Sequence, residues 1–180
     1  ARFNKPFQNI NALFNWMVAQ EYISKNPLKA NGLHKRKDDG NVKPIEIERL
    51  QTFLSAIDRK SYTGLRDYVI IMLMLDTGMR TTELLHLRNS DFDEKARSIT
   101  VSKLIAKTRQ TRTAYLCPTT TNLIASFQEI KPKQWQDWLF PNYEGARLKV
   151  DHLDKAFIRY SEKSGVKITP YQLRHSFATL

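Results

Sequence analysis

A chain of 180 residues, 41% of them hydrophobic, can build one sizeable core, or one domain plus part of a neighbour, and is too apolar to remain disordered. Its 29 Lys+Arg against 18 Asp+Glu give a formal charge of +11, which favours a polyanionic partner, nucleic acid ahead of an anionic membrane surface. No stretch nears the roughly 20 apolar residues of a membrane span, and a lone cysteine, Cys117, excludes a disulfide framework or a thiolate metal cluster.

The N-terminal "ARFNKPFQN" lacks the apolar run of a signal peptide, so the chain reads as soluble and intracellular. Apolar residues at Ile10, Leu13, Phe14, Met17, Val18 and Tyr22 trace an amphipathic helix that Asn26-Pro27 stops. One helix cannot bury its own stripe, so residues 1–28 are expected to belong to a second domain whose remainder is missing. The polar stretch 29–44 reads as a linker, broken by Gly32, Gly40 and Pro44, and basic at His34, Lys35, Arg36 and Lys37. A helix is predicted over 45–58 with Ile47, Leu50, Phe53, Leu54 and Ile57 inward. The next, "LRDYVIIMLMLDTG", is apolar nearly all round, which means burial at the domain centre, and Gly78 ends it. Leu84, Leu85 and Leu87 carry a further helix.

At "SITVSKLIAKTRQTRTAYLCP" the period changes to alternation around a Thr-Arg-Gln-Thr tip, the pattern of a β-hairpin or small sheet. Helices resume over 121–130 (Leu123, Ile124, Phe127, Ile130) and 150–164 (Leu153, Ala156, Phe157, Tyr160), the latter closed by Gly165. The last start is the best signalled: Thr169 as N-cap, Pro170 at the first position and Gln172 at the third. There Leu173, Phe177 and Leu180 point to the core, while Tyr171 and Arg174 share the other face. No stop signal precedes Leu180, so the chain is expected to end inside an element.

Arg80 stands where a helix begins, and a guanidinium beside unpaired backbone N–H groups suits phosphate. Glu83 could orient it; a surface ion pair between the two is the plain alternative. Arg174 repeats the geometry on another helix start, and a phosphate in transfer needs convergent cations. Lys107, at the end of a hairpin strand, is either a solvated tip or a general acid reaching a leaving oxygen. Lys103, Arg109 and Arg112 read either as contacts to DNA backbone phosphates or as a charged edge strand that resists aggregation. Asp91, Asp93 and Glu94 could hold Mg²⁺ for a nuclease, but their place between helix and strand favours turn chemistry. His34, His86, His152 and His175 lack ligand spacing, so neither a metal site nor a cofactor is expected. Trp16, Trp135 and Trp138 read as core or domain-contact residues.

Two boxes, "DTGMRTTELLHLRNSDF" and "ITPYQLRHSFATL", resemble those of the tyrosine recombinase, or phage integrase, family. Between them "AKTRQTR" resembles the family's Lys-bearing hairpin and "WLFPN" the segment before its last helices. The resemblance covers about 42–180, and "NALFNWMVAQEYISKNPL" is similar to the closing helix of the family's core-binding, SAM-like DNA-binding domain. It implies an α+β fold, mainly helical, with a small antiparallel sheet, and three parts: that helix at 1–28, the basic linker 29–44, and a catalytic domain at 45–180 lacking its C-terminal end.

The activity implied is site-specific breaking and rejoining of double-stranded DNA through a 3′-phosphotyrosyl intermediate, without metal or ATP, by a phage or mobile element or a bacterium, in the cytoplasm. On this mapping Arg80 and Arg174 clamp the phosphate, Lys107 protonates the leaving 5′-oxygen, and Glu83 and His175 support the site from behind; Lys35, Arg36 and Lys37 join Lys103, Arg109 and Arg112 as DNA contacts. Tyr171 departs from the family's usual His or Lys; a phenol can donate a hydrogen bond to phosphate but is a poor proton shuttle at neutral pH. The nucleophilic tyrosine lies downstream of the second box in the family, so this chain is expected to lack it and to be inactive alone. Full-length relatives work as tetramers on DNA; the chain off DNA is expected to be a monomer. A non-catalytic DNA-binding protein of the same fold is the competing reading, and a metal-dependent nuclease a third.

Overall fold

The computed structural model describes residues 3–36, 44–107, 109–135 and 137–177; Lys37 and Leu180 lie outside them. The chain divides into two compact units, Ala1–Asn41 and Val42–Leu180.

In the first unit, α1 (Asn4–Ala19) is followed by a single turn, α2 (Pro27–Ala30), with Pro27 at its first position and the Asn26 side chain accepting from Leu28 N–H at 2.9 Å. The first helix ends at Ala19, short of Tyr22 and of Asn26-Pro27, so Asn26 does not stop it; Asn26 starts the next turn and donates to Asn11 and Asn15 on α1. Part of the expected linker folds back: Asn4 exchanges two hydrogen bonds with the Arg36 backbone, at 3.0 and 2.9 Å, and the Arg36 guanidinium lies over Phe3. Ile10, Leu13, Trp16 and Tyr22 stay exposed, so Trp16 is not a core residue.

The second unit is mainly helical, with one small sheet. Its spine is α4 (Tyr62–Thr77), capped by Ser61, with Val69, Ile70, Ile71, Leu73 and Met74 all buried. A helix apolar on every side can only be central, and α6 (Pro118–Ile130) and α8 (Pro170–Phe177) pack against it. Outside these, α3 (Ile47–Ser55) packs on α7 (Val150–Ser164) through Phe53, Phe157 and Tyr160. A buried polar tie fastens α4 to α7: Asp67 accepts from Arg66 at 2.7 Å and from the Tyr160 hydroxyl at 2.9 Å, and Arg66 also donates to the Pro141 carbonyl. Each charge is paired, as burial requires.

Strands β1 (Phe92–Asp93), β2 (Ser98–Val101) and β3 (Arg112–Tyr115) form an antiparallel sheet in that order. Opposite Arg112 stands Val101, and opposite Ala114 stands Ile99. Asp91 and Asp93 accept backbone N–H groups of Arg88 and Ala96, each at 2.8 Å, so these carboxylates shape turns. Among the described residues no group of three or more His, Cys, Asp or Glu could hold a metal ion, and no helix is long and apolar enough to cross a membrane.

Several inward assignments fail at element ends. Ile47, Ile130 and Phe177 are exposed, while Ser176 is buried and donates to the Gln172 carbonyl. Trp135 and Trp138 are half-buried, the first edge-on to Tyr62 and the second beneath Arg88. The helix expected to carry Leu84, Leu85 and Leu87 is a single turn, α5 (Thr81–Leu84), though all three leucines are buried.

Gly78 closes α4 in the left-handed region, at φ 58°, and a Cβ there would overlap the Phe177 ring. Both costs fall on Gly78→Ala, which is expected to lose about 2 kcal/mol. Urea denaturation should show a lower midpoint at an unchanged slope.

Candidate active site

Gly78 turns the chain out of α4, and buried Met79 pins the exit, so Arg80 is extended as it enters α5. One turn later Glu83 faces inward and is 0% exposed, held there by its buried neighbours Leu84, Leu85 and Leu87. A buried carboxylate needs donors at both oxygens, and Glu83 has them. Oε1 accepts from Arg80 Nη1 at 3.2 Å and from the Lys107 backbone N–H at 3.3 Å. Oε2 accepts from the Arg80 backbone N–H at 3.3 Å and from Arg112 Nη2 at 2.6 Å. Burial alone would raise the Glu83 pKa; hydrogen bonds from Arg112, Lys107 and Arg80, with the Arg112 charge, outweigh it and hold the pKa at about 2.

From the other end of the domain, α8 supplies Arg174. The Thr169 hydroxyl and the Gln172 amide oxygen each accept from the other's backbone N–H, at 3.3 and 3.0 Å, which is the capping box the sequence signals. Leu173 is fully buried against α4, and this orients the helix so that Arg174 Nη1 donates to the Gly78 carbonyl at 2.5 Å. The αL glycine that ends one helix thus receives the arginine of another.

Arg80, Arg112 and Arg174 line one pocket of about 480 Å³, with Thr77, Gly78, His175 and Phe177. The Arg174 pKa is lowered, first by burial and then by the Arg80 and Arg112 charges, with Glu83 opposing. Three guanidinium groups around one carboxylate leave a formal surplus of two positive charges, and that is an environment for a doubly contacted oxyanion. Arg80 and Arg174 also border a larger apolar cleft of about 990 Å³ between α5, α7 and α8, floored by Met74, Met79 and Phe157. Tyr171 lines this cleft, 60% exposed, with its ring edge-on to His175 at 4.4 Å.

The folding chain therefore brings together Arg80, Glu83, Arg112, Arg174 and His175, with Lys107 joined to them through its backbone. Three positions differ from expectation. Lys107 is exposed in the loop between β2 and β3 rather than at a strand end, because the strands stop at Val101 and restart at Arg112. Arg80 does not gain a helix macrodipole, since α5 is one turn long; Glu83 and not the helix positions it. Arg112, expected on backbone phosphate or along a charged edge, has its guanidinium on Glu83. Lys103 and Arg109 are exposed in the same loop; Lys35 and Arg36 are exposed in the first unit.

Gly78 and Phe177 line the pocket, where the sequence marks them only as a helix stop and a core residue. For Arg112 a signal existed: in "RTAY" it is in phase with Ala114, which packs on the core, and a cation on a core-facing register needs a buried anion.

Comparison with known proteins places this geometry. Residues 42–180 match the model of the phage integrase family. Tyrosine recombinase XerD of Listeria monocytogenes is 27% identical over 179 residues, covering 95% of this chain and 59% of that protein. Tyrosine recombinase XerA of Saccharolobus solfataricus is 34% identical over 139 residues, 77% of this chain and 43% of its own length. The chain thus spans about half the length of these curated relatives. Among solved structures, the Tn1549 transposon integrase in complex with circular intermediate DNA superposes with a TM-score of 0.77 at 20% identity, over 98% of this chain and 64% of that one. A lambda integrase dimer bound to a COC′ core site gives 0.77 at 16%, over 96% and 63%. At these identities the structural likeness is one of fold, here a mainly helical domain with a three-stranded antiparallel sheet. The family match, by contrast, spans most of the sequence, and the chain belongs to the phage integrase, or tyrosine recombinase, family.

Proposed function

We propose that this chain carries the phosphate-handling site of a site-specific DNA recombinase or integrase, which breaks and rejoins duplex DNA through a 3′-phosphotyrosyl intermediate. The observation that carries the reading is the convergence of Arg80, at the start of α5, and Arg174, a full turn past the start of α8, on one pocket with a surplus of positive charge. Their guanidinium groups hold the non-bridging oxygens of the scissile phosphate, where negative charge builds as the nucleophile arrives. Lys107 gives a proton to the leaving 5′-oxygen, and Tyr171 donates a hydrogen bond to phosphate. His175 supports the pocket wall and, through its ring contact, the Tyr171 ring.

Tyr62, Tyr160 and Tyr171 are not the nucleophile. Tyr62 and Tyr160 are pushed up to about 12, chiefly by burial, and Tyr171 stands in the second box where the family carries His or Lys, not where it carries its nucleophile. Residues 1–28, which carry α1, belong to the end of a core-binding DNA domain. Lys35, Arg36 and Lys37, with Lys103 and Arg109, contact the duplex backbone, where each phosphate contact adds salt-dependent affinity. The assembly on DNA is a tetramer and the chain off DNA a monomer, acting in the cytoplasm of a cell that houses a phage or mobile element.

Lys107→Ala in the full-length protein, tested on a duplex whose site has been selected from random sequence, decides between this reading and a non-catalytic DNA-binding protein. Cleavage is expected to fall about a hundred-fold or more with binding retained. Binding without cleavage in every version, the unsubstituted protein included, would favour the non-catalytic reading.

A further inference from the structure

We propose that Arg112 is a positioning residue for strand cleavage: through Glu83 it fixes the loop that presents Lys107. The inference rests on the function proposed above and adds a residue to it. Each Glu83 oxygen accepts one bond from Arg80 and one from the segment that begins with the Lys107 loop and ends in β3. The carboxylate is thus a four-way joint between the phosphate-binding arginine and the loop.

Within the loop, Ile105 and Ala106 N–H groups turn back on the Ser102 carbonyl and Lys103 N–H binds the Thr111 hydroxyl. These bonds shape the loop but do not attach it to α5; the Lys107 N–H to Glu83 bond does. That bond is long, at 3.3 Å, so it depends on the carboxylate being held in one orientation. Arg112 supplies the hold. It anchors the first residue of β3 opposite Val101 and makes the shortest bond to Glu83, 2.6 Å, on the oxygen that Lys107 does not use. Its charged partner is fully buried, so solvent does not compete for that oxygen. Without Arg112 the carboxylate can turn toward Arg80, and the Lys107 N–H loses its acceptor.

The consequence falls on the leaving group. In the step proposed, a nucleophile oxygen that has passed its proton to solvent bonds to phosphorus, the P–O5′ bond breaks, and the Lys107 ammonium gives its proton to the departing 5′-oxygen. A substrate with sulfur in place of that bridging oxygen releases a thiolate, a much weaker base that needs no proton. A defect acting through Lys107 therefore vanishes on the sulfur substrate; one acting through the non-bridging oxygens persists.

The test compares single-turnover cleavage of matched oxygen- and sulfur-bridged duplexes by the full-length protein and its Arg112→Gln, Arg112→Lys and Lys107→Ala variants. Arg112→Gln is expected to cleave the oxygen substrate about ten- to a hundred-fold more slowly and the sulfur substrate within about threefold of the unsubstituted protein. Arg112→Lys, which keeps an ion pair with Glu83, should show a smaller loss with the same rescue, and serves if the glutamine variant does not fold. Equal losses on both substrates, with Lys107→Ala rescued by sulfur, would overturn the role of Arg112 alone. Failure of sulfur to rescue Lys107→Ala would overturn the leaving-group role of Lys107, and this inference with it.

Discussion

Replacing Arg174 with alanine is expected to slow strand cleavage by the full-length protein about a thousand-fold or more, and Arg80→Ala to do the same, while DNA binding is largely kept. The asymmetry follows from where the two guanidiniums act. A duplex is gripped at many phosphates, and losing one contact should lower the slope of log affinity against log salt by only about 1. Charge development at the scissile phosphate, however, is concentrated at the pocket these two residues share. Arg174→Lys should recover little, because an ammonium cannot both donate to the Gly78 carbonyl at 2.5 Å and present a planar fork to phosphate. Single-turnover cleavage beside a salt titration of binding checks this; a loss of affinity matching the loss of rate would show that Arg174 grips DNA without stabilising the reaction.

The second large effect is on stability and its pH dependence, at Glu83. Its carboxyl has an ordinary pKa of 4.5 in the unfolded chain and about 2 in the folded one. A depressed folded value means the stabilisation is complete above pH 4.5 and is lost as pH falls from there toward 2, where the folded carboxylate also takes its proton. The difference corresponds to about 3 kcal/mol at neutral pH. Glu83→Gln is therefore expected to lose about that much at pH 7. The variant should also unfold with a flatter pH dependence between about pH 5 and 3, since it lacks the proton-linked group. Urea melts across that range would contradict the prediction if both proteins showed the same slope.

What the sequence made legible was whatever is written locally. The Thr169-Pro170-Gln172 start, the Gly78 and Gly165 stops and the buried face of α7 all depend on residues within one or two turns, and the structure bears them out. The reading failed where tertiary contacts override periodicity. Leucines at 84, 85 and 87 promise a helix, yet the chain needs only one turn before a tighter helical turn at Asn89–Asp91 leads it into the sheet. Phe177 fits the α8 stripe, but Ser176 takes the inner position and hydrogen-bonds to Ile45 N–H, and Phe177 covers Gly78 instead.

At the site, the pairing of the two boxes was readable from their patterns, although only Arg80 sits at a helix start; Arg174 lies a full turn past the start of α8. The joint at Glu83 was not. Its four donors come from two segments separated by the whole of β1 and β2, and no spacing rule connects Glu83 to Arg112. Only the alternation in β3, which turns Arg112 inward with Ala114, hinted that a buried anion must await it.

The structure of the protein bound to a duplex containing its site tests the account most directly. The prediction is that N–H groups of Arg80 and Arg174 lie within hydrogen-bond distance of the non-bridging oxygens of one and the same phosphodiester. Guanidiniums resting on different phosphates, or a pocket closed over with no phosphate in it, would contradict it.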